Sequence, residues 1–271
     1  MKGRNEKRKI GGYYVEDIPN YIKRYSSYLL IYPFTYIPES SLKRAVRKLV
    51  LNFYNSVPLF IALNKGDIAV QVGTPNVRTM KRFSRYVGSL GKVIIIEADK
   101  DNVAKLESAM ARLNLRNVEI IPCAAWSEKR ELVFYLSDIR NGDHKLPVEG
   151  VLVDNDFTNE YSKVKVEADT VDSLLEKVGI NFINYISITV NGAELEVLKG
   201  MKNLIKSSNH CRIYSKGHSQ LNGEPLNQHI KRYLEAFEGY KIVISRGEKS
   251  NSGQSNWKRR AGDIFAWKNA K

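Results

Sequence analysis

From Asp67 onward, short apolar runs alternate with amphipathic stretches, and this rhythm constrains the fold more than any other feature of the chain. Residues 68–72 and 92–97 are rich in β-branched residues and read as strands. Residues 78–87 between them have helical spacing, with Met80, Phe83 and Val87 on one face. Residues 102–113 repeat the pattern through Val103, Leu106, Met110 and Leu113, and residues 117–122 form a third strand. Strands alternating with helices of about 10–15 residues imply βαβ units and a parallel sheet.

The middle of the chain interrupts this order. Residues 131–136 and 163–167 read as strands. Residues 137–162 are polar, contain Gly142, Pro147 and Gly150, and read as a long loop with a short strand at 150–153. Loops of that length in a compact domain are often functional. The alternation then returns, with a helix at 170–178, a strand at 185–190 and one helix spanning 193–205. A strand at 211–214, a helix at 226–237 and strands at 241–245 and 263–268 complete the pattern. Residues 246–262 are polar and Gly/Ser-rich, as in a hairpin loop.

Charge separates the ends from the middle. Among the 271 residues, Lys and Arg total 43 and Asp and Glu 29, a net of +14. Residues 1–66 hold 12 basic and 4 acidic residues, residues 67–239 hold 23 of each, and residues 240–271 hold 8 and 2. The excess at both ends suits an anionic partner, whether nucleic acid, a membrane surface or an acidic substrate, and equally a Lys-rich surface that only keeps a protein soluble. Residues 41–55 have helical spacing through Leu42, Ala45, Val46, Leu49, Val50 and Phe53, with Lys43, Arg44, Arg47 and Lys48 on the other face. Such a basic amphipathic helix can lie on an anionic bilayer or pack its apolar stripe on its own domain. No apolar stretch reaches about 18 residues, so a spanning helix is not expected. No h-region follows the basic start, so no signal peptide is expected either. Cys123 and Cys211 sit in apolar runs and read as reduced, buried thiols, and the four histidines lack metal-ligand spacing.

In an open parallel sheet, ligands bind at the carboxyl ends of the strands. Three such ends carry chemistry. Gln71-Val72-Gly73-Thr74 leads into the first helix, where glycine lets backbone approach a ligand. Glu97-Ala98-Asp99 closes the second strand, placing an acid where a ribose can be held, while Asp99 reads equally as a helix cap. Asn191-Gly192-Ala193-Glu194 makes a glycine turn into another helix.

Together these residues resemble the FkbM family of S-adenosylmethionine-dependent methyltransferases over about residues 64–205. Lys65-Gly66-Asp67 stands close to the family's K-x-G-D. Val72-Gly73 matches part of its glycine loop, and Ile96-Glu97-Ala98 stands for its F-E-P. Asn117-Val118 and Ala124-Ala125-Trp126-Ser127 match the next element, and Thr170-Val171-Asp172-Ser173-Leu174 its T-L-D-x-L helix. The run from Ile188 to Gly200, ITVNGAELEVLKG, matches the last element and is the most specific piece. The resemblance implies a Rossmann-like class I methyltransferase fold. Its mostly parallel seven-stranded sheet has helices on both faces and an antiparallel strand at the end. Residues 64–271 are then expected to form that domain, behind an extension at 1–63 that its composition and spacing mark as basic, Tyr-rich and helical.

The resemblance further implies S-adenosylmethionine as cofactor and a hydroxyl of a small or glycan-like molecule as acceptor. The expected cofactor pocket is Gly73, Thr74, Glu97, Ala98, Asn117 and Ala125. The expected substrate edge is Asn191, Glu194 and His218, with His144 and Asp156 as other candidate bases and Lys216 and Tyr214 beside them. A base is needed because an alcohol must lose its proton. Four positions depart from the family pattern: Gln71 and Thr189 replace acids, Asn191 replaces a glutamate, and Val77 replaces a glycine. A rival reading follows, in which a catalytically silent methyltransferase fold grips RNA or an anionic membrane through residues 1–66 and 240–271. Basic and aromatic residues interleave at 21–25 and 257–260 in keeping with it. A cytoplasmic location is the matching expectation, peripheral to the membrane if the basic ends bind lipid.

Overall fold

The computed structural model describes residues 63–73, 76–137, 151–152, 161–217, 219–244 and 262–268, with short pieces at 9–10, 13–14 and Leu42. The helix expected at 41–55, apart from a helical Leu42, lies outside the described residues, as do most of the 137–162 loop and the loop at 246–262. Lys9–Ile10 (β1) pairs antiparallel with Tyr13–Tyr14 (β2).

The core elements follow the expected alternation. Ile68–Val72 (β3), Val77–Val87 (α1), Lys92–Glu97 (β4), Lys100–Arg112 (α2) and Val118–Pro122 (β5) form the first half. Asn76 caps α1 by accepting from Thr79 N at 2.8 Å, and Asp99 caps α2 by accepting from Asp101 N and Asn102 N. An arm follows, made of Ala124–Ala125 (β6), Arg130–Ser137 (β7), Val151–Leu152 (β8) and Tyr161–Asp169 (β9). The second half is Val171–Glu176 (α3), Tyr185–Ile188 (β10), Glu194–Lys199 (α4), Lys202–Ser207 (α5) and Arg212–Ser215 (β11). Gln220–Leu221 (β12), Glu224–Pro225 (β13), Leu226–Glu235 (α6), Tyr240–Ile244 (β14) and Ile264–Lys268 (β15) finish it.

Seven strands make the main sheet in the order β14-β15-β11-β10-β3-β4-β5. Neighbours from β11 to β5 are parallel, while β15 runs antiparallel to both β11 and β14. The antiparallel strand is last in sequence but lies one in from the edge. Alternate residues of each strand face opposite ways. Val70, Val72, Ile94, Ile96, Ile186 and Ile188 pack with residues of α3–α6 on one face, and Ala69, Val93, Ile95 and Tyr185 with α1 and α2 on the other. Two small sheets flank the core, β6-β9-β7 and β13-β12-β8; the second joins the long arm to the connection after β11.

One expected helix is two. The stretch at 193–205 breaks after Lys199, and Asp172 caps the second piece by accepting from Asn203 N at 2.8 Å and Leu204 N at 3.0 Å. The break falls where Gly200 passes the backbone of Trp126 and accepts from Asp172 N. At the amino edge of the sheet, Arg212 pairs with Asp67, and its Nε donates to Asn184 O at 3.0 Å. Asn184 Oδ1 in turn accepts from Ile68 N, tying the starts of β3, β10 and β11 together.

Candidate functional site

The chain runs outward from β3 through β4 to β5 and then returns to β10, so the sheet order reverses between β3 and β10. A crevice forms at the carboxyl ends of strands at such a reversal. Gly73 opens it, with φ of 70°. An added Cβ there would lie 2.5 Å from Thr189 O, so the position needs glycine on two counts. Gly73 N donates to Ile96 O at 3.1 Å, and Gly73 O accepts from Thr189 Oγ1 at 3.1 Å. Thr189 N also donates to Val72 O. The threonine that replaces a family acid therefore stitches the loop after β3 to the turn after β10.

Glu97 ends β4 and is 6% exposed. Its Oε1 accepts from Asp99 N at 2.8 Å. Burial pushes its carboxyl from the ordinary 4.5 up to about 7, with the nearby Asp99 charge adding to the rise and the Asp99 N–H opposing it. Below pH 4.5 the carboxyl is protonated folded or unfolded and carries no penalty. Between 4.5 and 7 only the unfolded chain releases the proton, so stability falls as pH rises. Above 7 the full penalty for the buried charge applies, about 3 kcal/mol. The melting temperature of the ligand-free protein is expected to drop between pH 5 and pH 8, and Glu97→Gln to flatten that drop. An equal slope in the variant would assign the effect elsewhere.

Glu194, 2% exposed, uses both oxygens on the turn before it. Oε1 accepts from Val190 N at 3.2 Å and Oε2 from Gly192 N at 2.9 Å. Burial raises its carboxyl, against these N–H groups and the Lys216 charge. The turn is tight, with Asn191 at φ 53° and Gly192 at 108°. Glu194 thus holds the backbone that presents Asn191, which is half-buried.

The structure gathers Gly73, Glu97, Ala98, Asn191 and Glu194 at this edge. Ala98 and Val190 pack against Ala124, Trp126, Ala168 and Ala193, and Ala125 is buried within β6 alongside. Asn117 is not among them. It precedes β5 at the opposite edge, about 16 Å along the strands from Glu97. Its amide donates to Ser84 O and Gly88 O and accepts from Ser84 Oγ, locking the end of α1. The expectation that Asn117 contacts the cofactor is corrected on that ground. Thr74, His218, His144 and Asp156 lie outside the described residues. Lys216 follows β11, with its N–H donating to Ile188 O. Tyr214 OH donates to Asp263 Oδ2 at 3.0 Å, a contact missed in the sequence because it depends on β15 entering antiparallel beside β11. Among the described residues, no group of acids, histidines and cysteines could hold a metal.

A seven-stranded sheet of this order, with one inserted antiparallel strand and an acid at the end of the second parallel strand, is the Rossmann-like fold of class I methyltransferases. More narrowly, the Methyltransferase FkbM domain model matches residues 61–242, and the chain belongs to that family, whose methyl donor is S-adenosylmethionine. No curated protein matches the chain. Among solved structures it is similar to the methyltransferase FkbM of Methylobacillus flagellatus KT, at 12% identity and a TM-score of 0.48, covering 74% of this chain and 43% of that one. This chain thus spans less than half the length of that protein. It is also similar to Aeropyrum pernix fibrillarin with natively bound S-adenosyl-L-methionine, at 10% identity and a TM-score of 0.46, covering 82% and 74%. A third is the O-methyltransferase TomG of Streptomyces achromogenes in complex with S-adenosylmethionine, at 11% identity and a TM-score of 0.47, covering 92% and 96%.

Proposed function

We propose that this chain binds S-adenosylmethionine at the carboxyl edge of β3 and β4 and methylates a hydroxyl of a small or glycan-like acceptor. The observation that carries the reading is Glu97, a buried carboxylate at the end of β4 beside the crevice. A carboxylate there accepts hydrogen bonds from both ribose hydroxyls. Ala98 and Ala125 are small enough to leave room for the base. Gly73, with Thr74 next in the chain, is the proposed contact at the amino-acid end. Gln71 and Thr189 stand there as neutral groups, so no acid from those two positions meets the ammonium. The donor set fits the cofactor at its nucleoside end and grips its other end more lightly.

When bound, the cofactor supplies a methyl group made electrophilic by a sulfonium. The chain's own task is to orient the acceptor and take its proton. Asn191, held by Glu194, is the proposed contact to the acceptor hydroxyl. His218, one residue beyond Gly217, is the proposed base. Calorimetric titration with S-adenosylmethionine and S-adenosylhomocysteine tests the reading. Micromolar binding is expected, falling about tenfold to a hundredfold in Glu97→Ala, the range for lost hydrogen bonds to a charged group. No binding to folded wild-type protein would favour the silent fold instead. The replaced acids and the Thr189 stitch across the loop speak for that second reading.

A further inference from the structure

The amino ends of the parallel strands form the edge opposite the crevice, and two large apolar side chains stand exposed there. Leu90, 90% exposed, lies in the turn between α1 and β4, and Phe182, 49% exposed, lies between α3 and β10. β4 and β10 flank β3, so the strand starts that these turns lead into lie two strand spacings apart, about 10 Å, with the turns arriving from opposite faces of the sheet. A single exposed apolar side chain is ordinary; two on the same edge, set among cations, mark a surface that an amphipathic partner can cover. Cations surround it: Lys65 before β3, Arg85 and Arg112 in the last turns of α1 and α2, Arg116 before β5 and Lys206 in the last turn of α5, all exposed. The acids on this edge are Glu176, Glu235 and Glu238, together with Asp67 and Glu119; Asp67, Glu119 and Glu235 are in ion pairs with Arg212, Lys92 and Lys231. Residues 64–67 lead into the amino end of β3, so the segment whose residues 1–66 carry 12 basic and 4 acidic side chains joins the sheet at this same edge.

We propose that this edge docks on an anionic lipid bilayer, with Leu90 and Phe182 entering the interfacial layer and the cations against the lipid phosphates. A bilayer suits the patch better than RNA. An aliphatic side chain standing almost wholly in water, as Leu90 does, gains by entering acyl chains and can neither hydrogen-bond a phosphate nor stack as an aromatic ring does on a base. The surface is separate from the crevice and does not depend on methyl transfer.

Flotation of the full chain with vesicles of phosphatidylcholine and phosphatidylserine, and of phosphatidylcholine alone, is the test. Binding to the mixed vesicles and little to the neutral ones is expected. Leu90→Asp with Phe182→Asp, and separately Lys65→Glu with Arg116→Glu, are each expected to weaken binding about tenfold with thermal unfolding unchanged. As a check free of added charge, Leu90→Trp is expected to show a blue-shifted fluorescence on the mixed vesicles. Absence of binding, binding undiminished in both double variants, or an unshifted spectrum of the vesicle-bound Leu90→Trp protein would overturn the proposal. So would capture of single-stranded RNA in place of vesicles.

Discussion

Asp67→Ala is expected to cost about 3–5 kcal/mol of stability, the usual penalty for stripping a buried charge of its partner. Both side chains of the Asp67–Arg212 pair are under a tenth exposed. Removing the carboxylate strands the guanidinium at the amino edge of the sheet and also frees Asn64 N, which Asp67 holds. Arg212 in turn helps to fix Asn184, whose side chain and carbonyl bind β3 and β11. A fall of about 10 °C in melting temperature is the corresponding readout for a domain of this size. Asp67→Ala combined with Arg212→Met should recover much of the loss, since apolar replacements of a buried pair are often neutral. If the double variant were no more stable than Asp67→Ala alone, the stranded charge would not be the cause. In the Lys65-Gly66-Asp67 stretch, the acid therefore secures strand ends far from the crevice.

Gly200→Ala is the second large effect, about 3 kcal/mol of destabilisation from overpacking. Helix propensity alone predicts the opposite sign, a gain of about 1 kcal/mol for alanine over glycine. Gly200 has an ordinary right-handed conformation, with φ of −74°, so its backbone needs no glycine. The obstacle is external. A Cβ would lie 1.9 Å from Trp126 O and 3.3 Å from Thr170 Cα, both backbone atoms. Neither can turn aside as a side-chain tip could. Chemical denaturation of the variant decides between the two signs. A stabilised Gly200→Ala protein would show that the backbone at Trp126 can shift away. The glycine that closes the GAELEVLKG run is thus a packing residue, at the place where the arm crosses the helices.

The two halves of the sheet were legible because strands buried on both faces read as unbroken apolar runs, as in residues 92–97. Asp99 was legible as a cap from its place before a helical pattern. The split of the helix at Gly200 was not, because the chain that interrupts it is Trp126, far back in the sequence. Strand β6 was missed for a related reason: two alanines carry no pattern, and only pairing with β9 makes them a strand. At the crevice, the carboxyl ends named Glu97 and Gly73 in advance. The sequence could not reveal that Thr189 bonds to the glycine loop, since that depends on the register of β3 against β10. Asn117 misled because a family match says which residues recur and leaves open which end of a strand they serve. Glu194 lies at the predicted edge, with its oxygens turned to backbone.

The antiparallel strand between β11 and β14 also sets an order on assembly during synthesis. β14 has no other partner in the main sheet, and β11 has a bare edge, until residues 264–268 have left the ribosome. Until then the nascent chain carries a five-stranded sheet with an open side and a loose β14. Amide protection in β14 should therefore appear late and together with that of β15, and a chaperone that shields strand edges would find its binding window there.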